Sequence, residues 1–504
     1  MTNDKKFTNK LILDLLQKYK KIWALGASFA LLDWDRNVYM PSGAADMRAE
    51  IEAQMDALSH MLLTDKEFVA LVNTANDKQD DFNKYEKGVV RELKRLVDKE
   101  NKLPEEFVKK MAKTTSKAFM VWQKAKKQND FKLFEPYLKQ IVELSKQKAE
   151  YLGYNGSAYN ALLDNFEPDL NTKDLDEYFG QIIPALKDIL NKIQNKPGYK
   201  AESDLEKLKY SKDKVKEINY KILEYLQFNK DLARMDVSAH PFTTEIGGST
   251  DVRITTWYHN ADFRRSISAT IHEWGHALHA LGAHPDFMFT PIGKLNSFAV
   301  GESQSRFMEN IVGRDPEFIK LWLQDFKALG KDFNKYELQD YVHYFNMVRP
   351  DLIRVEADEV TYHFHIYIRY LIEKELIEGS IDVADVPEVW NLKFQELLGI
   401  SVPDASHGAL QDVHWSLGYI GYFPTYSMGT FMAMQIAYYM QKDLEQDISK
   451  LVKTKQGMAK IIKYLHDKVH VHGALYTPKE LMKKSFGKYL DPQAGLEYLR
   501  GKYL

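Results

Sequence analysis

The chain has no cysteine, which excludes disulfides and thiolate metal sites, so any metal must be held by His, Asp or Glu. It also lacks a surplus of either charge, with 69 Lys and Arg against 71 Asp and Glu for a net charge of -2. That balance offers no general attraction for nucleic acid or an anionic membrane. No run approaches the roughly 18 apolar residues of a membrane helix. The opening MTNDKKFTNK is not followed by the apolar segment of a signal peptide. The expectation is a cytoplasmic protein with neither nucleic-acid nor membrane partners. Repeats, low-complexity linkers and composition breaks are missing too, which favours one cooperative body over residues 1–504.

What is present suits a large buried core: 44% hydrophobic and 12% aromatic residues, with 28% charged residues to cover it. Helical periodicity dominates. From Pro136 to Leu152, apolar residues recur mostly at three- and four-residue intervals and Gly153 follows, so a buried-face helix is expected there. The Lys-rich stretches from Lys124 to Lys127 and Lys207 to Lys221 keep that period and read as solvated helix faces. Pro241 to Tyr258 differs, with two Thr/Ile/Val-rich runs joined by Gly247-Gly248. They read as a hairpin or small sheet, serving either as structure or as an edge for an extended substrate.

Just after it comes His272-Glu273-Trp274-Gly275-His276. Positions four apart return to one helix face, so the two imidazoles can meet one ion while Glu273 takes a proton from the attacking water. By accident the pattern arises in roughly 3% of chains this long, and two ligands leave a catalytic zinc site incomplete. A third ligand must come from elsewhere. The segment from Val300 to Asn310 reads as a second helix, and Glu302 follows His276 at a distance that allows an antiparallel return. Spacing alone leaves Glu309, Glu317 and His279 as rivals, with His279 better suited to packing beside the site. Gly275 inside the helix points to a close neighbour.

Six stretches in order then resemble the M32 metallocarboxypeptidases, the thermostable carboxypeptidase 1 family. They are His240-Pro241-Phe242, Asp251 to Thr255 (D-x-R-x-T), the H-E-x-x-H at His272, the E-S-Q at Glu302, Ile353 to Asp358 (I-R-x-x-A-D), and Gly408 to Trp415 (G-x-x-Q-D-x-H-W). The resemblance implies a mainly α fold: one peptidase domain over 1–504, with two helical lobes flanking a long groove and a small β-ribbon beside the H-E-x-x-H helix. It implies zinc, or in some members cobalt, held by His272, His276 and Glu302, with Glu273 as general base. The implied activity is broad-specificity release of C-terminal residues from peptides with a free C-terminus, usually by a homodimer. Arg354 falls in the family's carboxylate-binding motif, with Arg253 and His240 as further substrate contacts. Each arginine could instead pair internally, with Asp358 or Asp251. His414 and Tyr422 are candidates for the oxyanion, and the run around Tyr422 is similar to a tyrosine-bearing segment of the more distant angiotensin-converting enzyme. One departure stands out: Gly301 replaces the His that commonly precedes the Glu of E-S-Q.

Overall fold

Side-chain caps divide the chain into helices. The structure, a computed structural model, describes residues 6–294 and 297–504. Asn9 caps α1 (Lys10–Val38) by accepting from Leu11 N; α2 (Ala45–Leu63) and α3 (Lys66–Asp77) follow, and Asn83 with Glu86 forms a capping box on α4 (Lys84–Lys102). These four helices pack through residues such as Leu15, Phe68, Val72 and Leu93, together with Phe287, Ile292 and Leu475 from far along the chain. That cluster is separate from the larger core built by the helices that come next.

In the larger core, α5 (Glu105–Gln128) turns at left-handed Asn129 into α6 (Phe131–Leu152). The latter starts five residues before the expected Pro136, because Asp130 caps Lys132 N and both Phe131 and Phe134 are already buried. Pro136 sits inside the helix at the cost of one backbone bond. The predicted end at Leu152, followed by Gly153, is found. Next come α7 (Tyr159–Leu163), α8 (Thr172–Gln194) and α9 (Lys212–Tyr225).

The predicted hairpin is present as β2 (Thr243–Glu245) antiparallel to β3 (Val252–Thr256), with Gly248 between them at φ +69°. A strand not foreseen, β1 (Ala233–Val237), pairs parallel to the other side of β3, leaving β2 on an edge. Its sequence Ala-Arg-Met-Asp-Val carries two charges in five residues, which hid it from a hydrophobicity reading. The sheet packs on α10 (Arg264–Leu281), the helix that bears His272. The second expected helix is α11 (Phe298–Arg306), which continues as a π-helical turn from Phe307 to Gly313.

Beyond it lie α12 (Pro316–Leu321), α13 (Leu323–Lys327), α14 (Leu338–Phe345), α15 (Tyr362–Glu378) and α16 (Val386–Leu398). Then come α17 (Pro424–Leu444), α18 (Ile448–Leu451), α19 (Lys455–Lys468), α20 (Pro478–Phe486) and α21 (Pro492–Tyr503). Among the described residues, no helix is long and apolar enough to cross a membrane.

Two glycines set the spacing that matters most. A Cβ on Gly275 of α10 would lie 2.5 Å from Ser305 Cα, and one on Gly429 of α17 would lie 2.6 Å from Glu302 Cβ. Thus α11 is clamped between α10 and α17 at contacts that no larger residue permits. The close neighbour expected of Gly275 is the backbone of the helix that carries Glu302.

Candidate metal centre

The inner face of α10 buries Ile267, Ile271 and Trp274, whose indole N–H donates to Leu226 O at 2.8 Å. That packing turns His272, Glu273 and His276 toward a groove of about 1130 Å³. One donor atom from each of His272, His276 and Glu302 lies within 4.8 Å of the others. Glu302 Oε2 is 3.7 Å from His272 Nε2 and 3.5 Å from His276 Nε2. Two imidazoles and a carboxylate converging without a thiolate fit a divalent ion such as zinc.

The rivals occupy other positions. Glu309 lies behind the centre and bonds His272 Nδ1 at 2.9 Å, which leaves Nε2 facing the other two donors. Glu317 pairs with Lys453 at 3.3 Å. His279 is buried and stacked on His470 with centroids 5.1 Å apart; burial lowers its pKa to about 3, so it is neutral.

Two arginines that sequence reasoning missed hold the carboxylates. Arg306 Nε donates to Glu302 Oε1 at 2.6 Å and its Nη1 to Glu309 Oε2 at 3.1 Å, while Arg314 Nη2 donates to Glu309 Oε1 at 2.9 Å. Burial disfavours the charge on Glu302, but Arg306 and His272 outweigh it and hold the carboxyl well below its usual range. Burial likewise opposes a charge on His272, and the Glu302 and Glu309 carboxylates more than offset it. The positions 302, 306 and 309 carried the signal, since Arg306 is one helical turn from each acid.

Glu273 is buried, and its Oε2 accepts from Thr243 Oγ1 of β2 at 2.7 Å. Tyr422 and His414 stack at 5.4 Å and both line the groove. Burial pushes the Tyr422 phenol up to about 12, so it stays a donor. Burial together with Arg354 pushes His414 down to about 3, leaving a neutral ring whose Nε2 meets Tyr426 Oη at 3.3 Å. Its Nδ1 is buried with no partner among the described residues. Gly301 also lines the groove, next to Glu302, whose carboxylate still converges with the two imidazoles.

Arg354 is buried at the groove wall and pairs with Asp412, not Asp358: Nε donates to Asp412 Oδ1 at 2.9 Å and Nη1 to Tyr362 Oη at 3.1 Å. Asp358 instead accepts from the N–H groups of Arg349, Val360 and Thr361. Arg369 is fully buried and takes the other oxygen of Asp412, with Nε at 2.7 Å. Nη2 of Arg354 has no partner among the described residues. Arg253 takes the internal alternative, pairing with Asp251 at 3.1 Å and lying over Trp34 at 4.3 Å, and it is not among the groove-lining residues. His240 does line the groove, beside Trp257.

The chain is similar to known proteins over nearly its whole length. Residues 14–503 match the family model described as Carboxypeptidase Taq (M32) metallopeptidase. Thermostable carboxypeptidase 1 of Pyrococcus furiosus is 43% identical over 499 residues, covering 99% of each chain. Carboxypeptidase 1 of Bacillus subtilis is 35% identical, over 98% of this chain and 97% of that protein. The solved Pyrococcus furiosus carboxypeptidase (Apo-Mg) superposes with a TM-score of 0.97 at 43% identity, covering 99% of this chain and 100% of its own. Trypanosoma cruzi metallocarboxypeptidase 1 gives 0.93 at 33% identity, over 98% of this chain and 99% of that one.

Proposed function

The chain belongs to the M32 metallocarboxypeptidase family, and from that membership we propose that it is a zinc enzyme releasing C-terminal residues from peptides of varied sequence. The observation that carries the reading is the convergence of His272, His276 and Glu302 in one groove with Glu273 and Arg354. His272, His276 and Glu302 would hold the ion, which when bound supplies a Lewis acid that polarises a peptide carbonyl and acidifies water.

The protein's own groups do the rest. Glu273, oriented by Thr243, accepts the proton of the attacking water and passes it to the leaving amine. The Tyr422 hydroxyl donates to the oxyanion as the carbonyl carbon becomes tetrahedral, a kind of contact that contributes about 3 kcal/mol. The neutral ring of His414, stacked on Tyr422, fixes that phenol beside the oxyanion. Nη2 of Arg354 meets the substrate's terminal carboxylate, with Asp412 holding the guanidinium in place. His240 contacts the peptide from the β2 side of the groove. The wall mixes Phe242 and Phe298 with polar groups, which suits many side chains.

Arg354→Lys keeps a charge but loses the planar fork. On peptides with free C-termini its KM should rise at least tenfold, while the slow turnover of C-terminally amidated peptides should be unchanged. Equal loss on both would contradict the role given to Arg354.

A further inference from the structure

The groove continues beyond the metal centre. Side chains two apart on a strand share a face and lie about 7 Å apart. Thr243 uses one face of β2 to hold Glu273, so Glu245 projects from that same face further along the groove, which it lines. At the C-terminal end of α10 the wall is formed by Ala280 in its last turn, and beyond it by Ala283 and Gly293. The opposite end lies at the start of α10, where Arg265 bonds Glu356 at 2.8 Å, two residues from Arg354. Glu245 therefore stands on the side of the scissile bond away from the carboxylate end.

The Glu245 carboxylate has no hydrogen-bond partner among the described residues, and no described cation comes within 4.0 Å of it. Lys294 acts on it through space only, its ammonium lying against Gly26 of α1, 3.5 Å from where a Cβ would be. Burial pushes the Glu245 carboxyl up to about 7, with Lys294 drawing it partly back. From α1, the buried Tyr19 phenol feels both Glu92 and Glu245. A desolvated acid with no cation in direct contact is costly. A cation that arrives with the substrate removes that cost.

We propose that Glu245 forms a subsite for a positively charged group carried by the peptide about two residues before the bond that is cut. An extended chain advances about 3.3 Å per residue, so the 7 Å from Thr243 to Glu245 spans two residues of substrate. The cation is a Lys or Arg side chain, or the free N-terminal ammonium of a short peptide. This inference rests on the exopeptidase reading above, because Arg354 at one end and Glu245 at the other fix the peptide's direction.

The test compares metal-loaded wild type with Glu245→Gln and Glu245→Lys on matched peptides. One pair is N-acetylated and differs by Lys against norleucine two residues before the scissile bond. A second pair is a short uncharged peptide with free or acetylated N-terminus. Wild type should favour the charged member of at least one pair about tenfold in kcat/KM. Glu245→Gln should erase that preference while keeping the norleucine rate within about twofold, and Glu245→Lys should reverse it. The first pair identifies a side-chain cation and the second a terminal ammonium. No preference in wild type, a preference that survives Glu245→Gln, or equal loss on every peptide would overturn the subsite. If wild type releases no C-terminal residue from any peptide, the exopeptidase reading fails. Calorimetric binding of the Lys and norleucine peptides to wild type and Glu245→Gln then still decides the subsite.

Discussion

Glu309 is the residue whose replacement reads the metal centre most finely without touching a ligand. Its Oε2 accepts from His272 Nδ1 and Arg306, and its Oε1 accepts from Arg314. Glu309→Gln preserves shape but introduces an NH2 group that must face a donor whichever way the amide turns. In one orientation the contact with Arg314 is lost; in the other, those with His272 and Arg306 are lost. Removing the charge from a buried pair costs about 3 kcal/mol or more, since Arg314 loses its ion-pair partner while Arg306 keeps only Glu302. Loosening the histidine's outer partner weakens metal binding by about 10–100-fold, or ~1.4–2.7 kcal/mol. Urea unfolding of the metal-free protein measures the first effect and chelator competition with Zn2+ measures the second. Glu317→Gln is the control, because its bond to Lys453 is partly exposed and such pairs contribute about 0–1 kcal/mol. Metal affinity within twofold of wild type, with stability no lower than in the control, would refute the reasoning.

The close helix contact gives a second expectation. Gly275→Ala gains up to ~1 kcal/mol of helix propensity, but its methyl group meets the Ser305 and Gln304 backbone, which no rotamer change relieves. Overpacking costs about 1–3 kcal/mol, so thermal unfolding should show a net loss accompanied by weaker Zn2+ binding; an unchanged or higher Tm would contradict the clamp. A third concerns acid. Burial opposes the charge on Asp412, yet Arg369 and Arg354 hold its pKa well below the ordinary carboxylate range. The unfolded chain therefore takes up the proton first, near pH 3.9, and this stabilisation is complete above that value and lost as pH falls below it. Asp412→Asn should lower stability at pH 7 and flatten its fall between about pH 4 and pH 2; an unaltered slope would count against this role.

How much could be read beforehand depended on whether the information was local. The pair His272 and His276 follows from helical pitch alone, and the Pro241–Tyr258 hairpin from alternation and Gly247-Gly248. Glu302 was harder, because choosing it over Glu309 required knowing that Gly275 and Gly429 draw α11 in until Glu302 faces the histidines' Nε2 atoms. Asp412 and Arg369, which fix Arg354, are 58 and 15 residues from it and meet it only through tertiary packing. Periodicity could not foresee the π-helical turn after Arg306 or the parallel pairing of β1, since both are set by neighbours distant in sequence. Arg253 shows the opposite case, where the nearby acid Asp251 was visible in the sequence and is the partner found.

The central claim is that Glu273 activates water at a centre held by His272, His276 and Glu302 for attack on the last peptide bond. Time-resolved mass spectrometry of an unblocked peptide with Zn2+-loaded protein tests it directly, with Glu273→Gln alongside. The account predicts a ladder of single-residue losses from the C-terminus for wild type. For Glu273→Gln it predicts none above background, at undiminished zinc content. Internal fragments, losses from the N-terminus, or a ladder that persists in Glu273→Gln would contradict it.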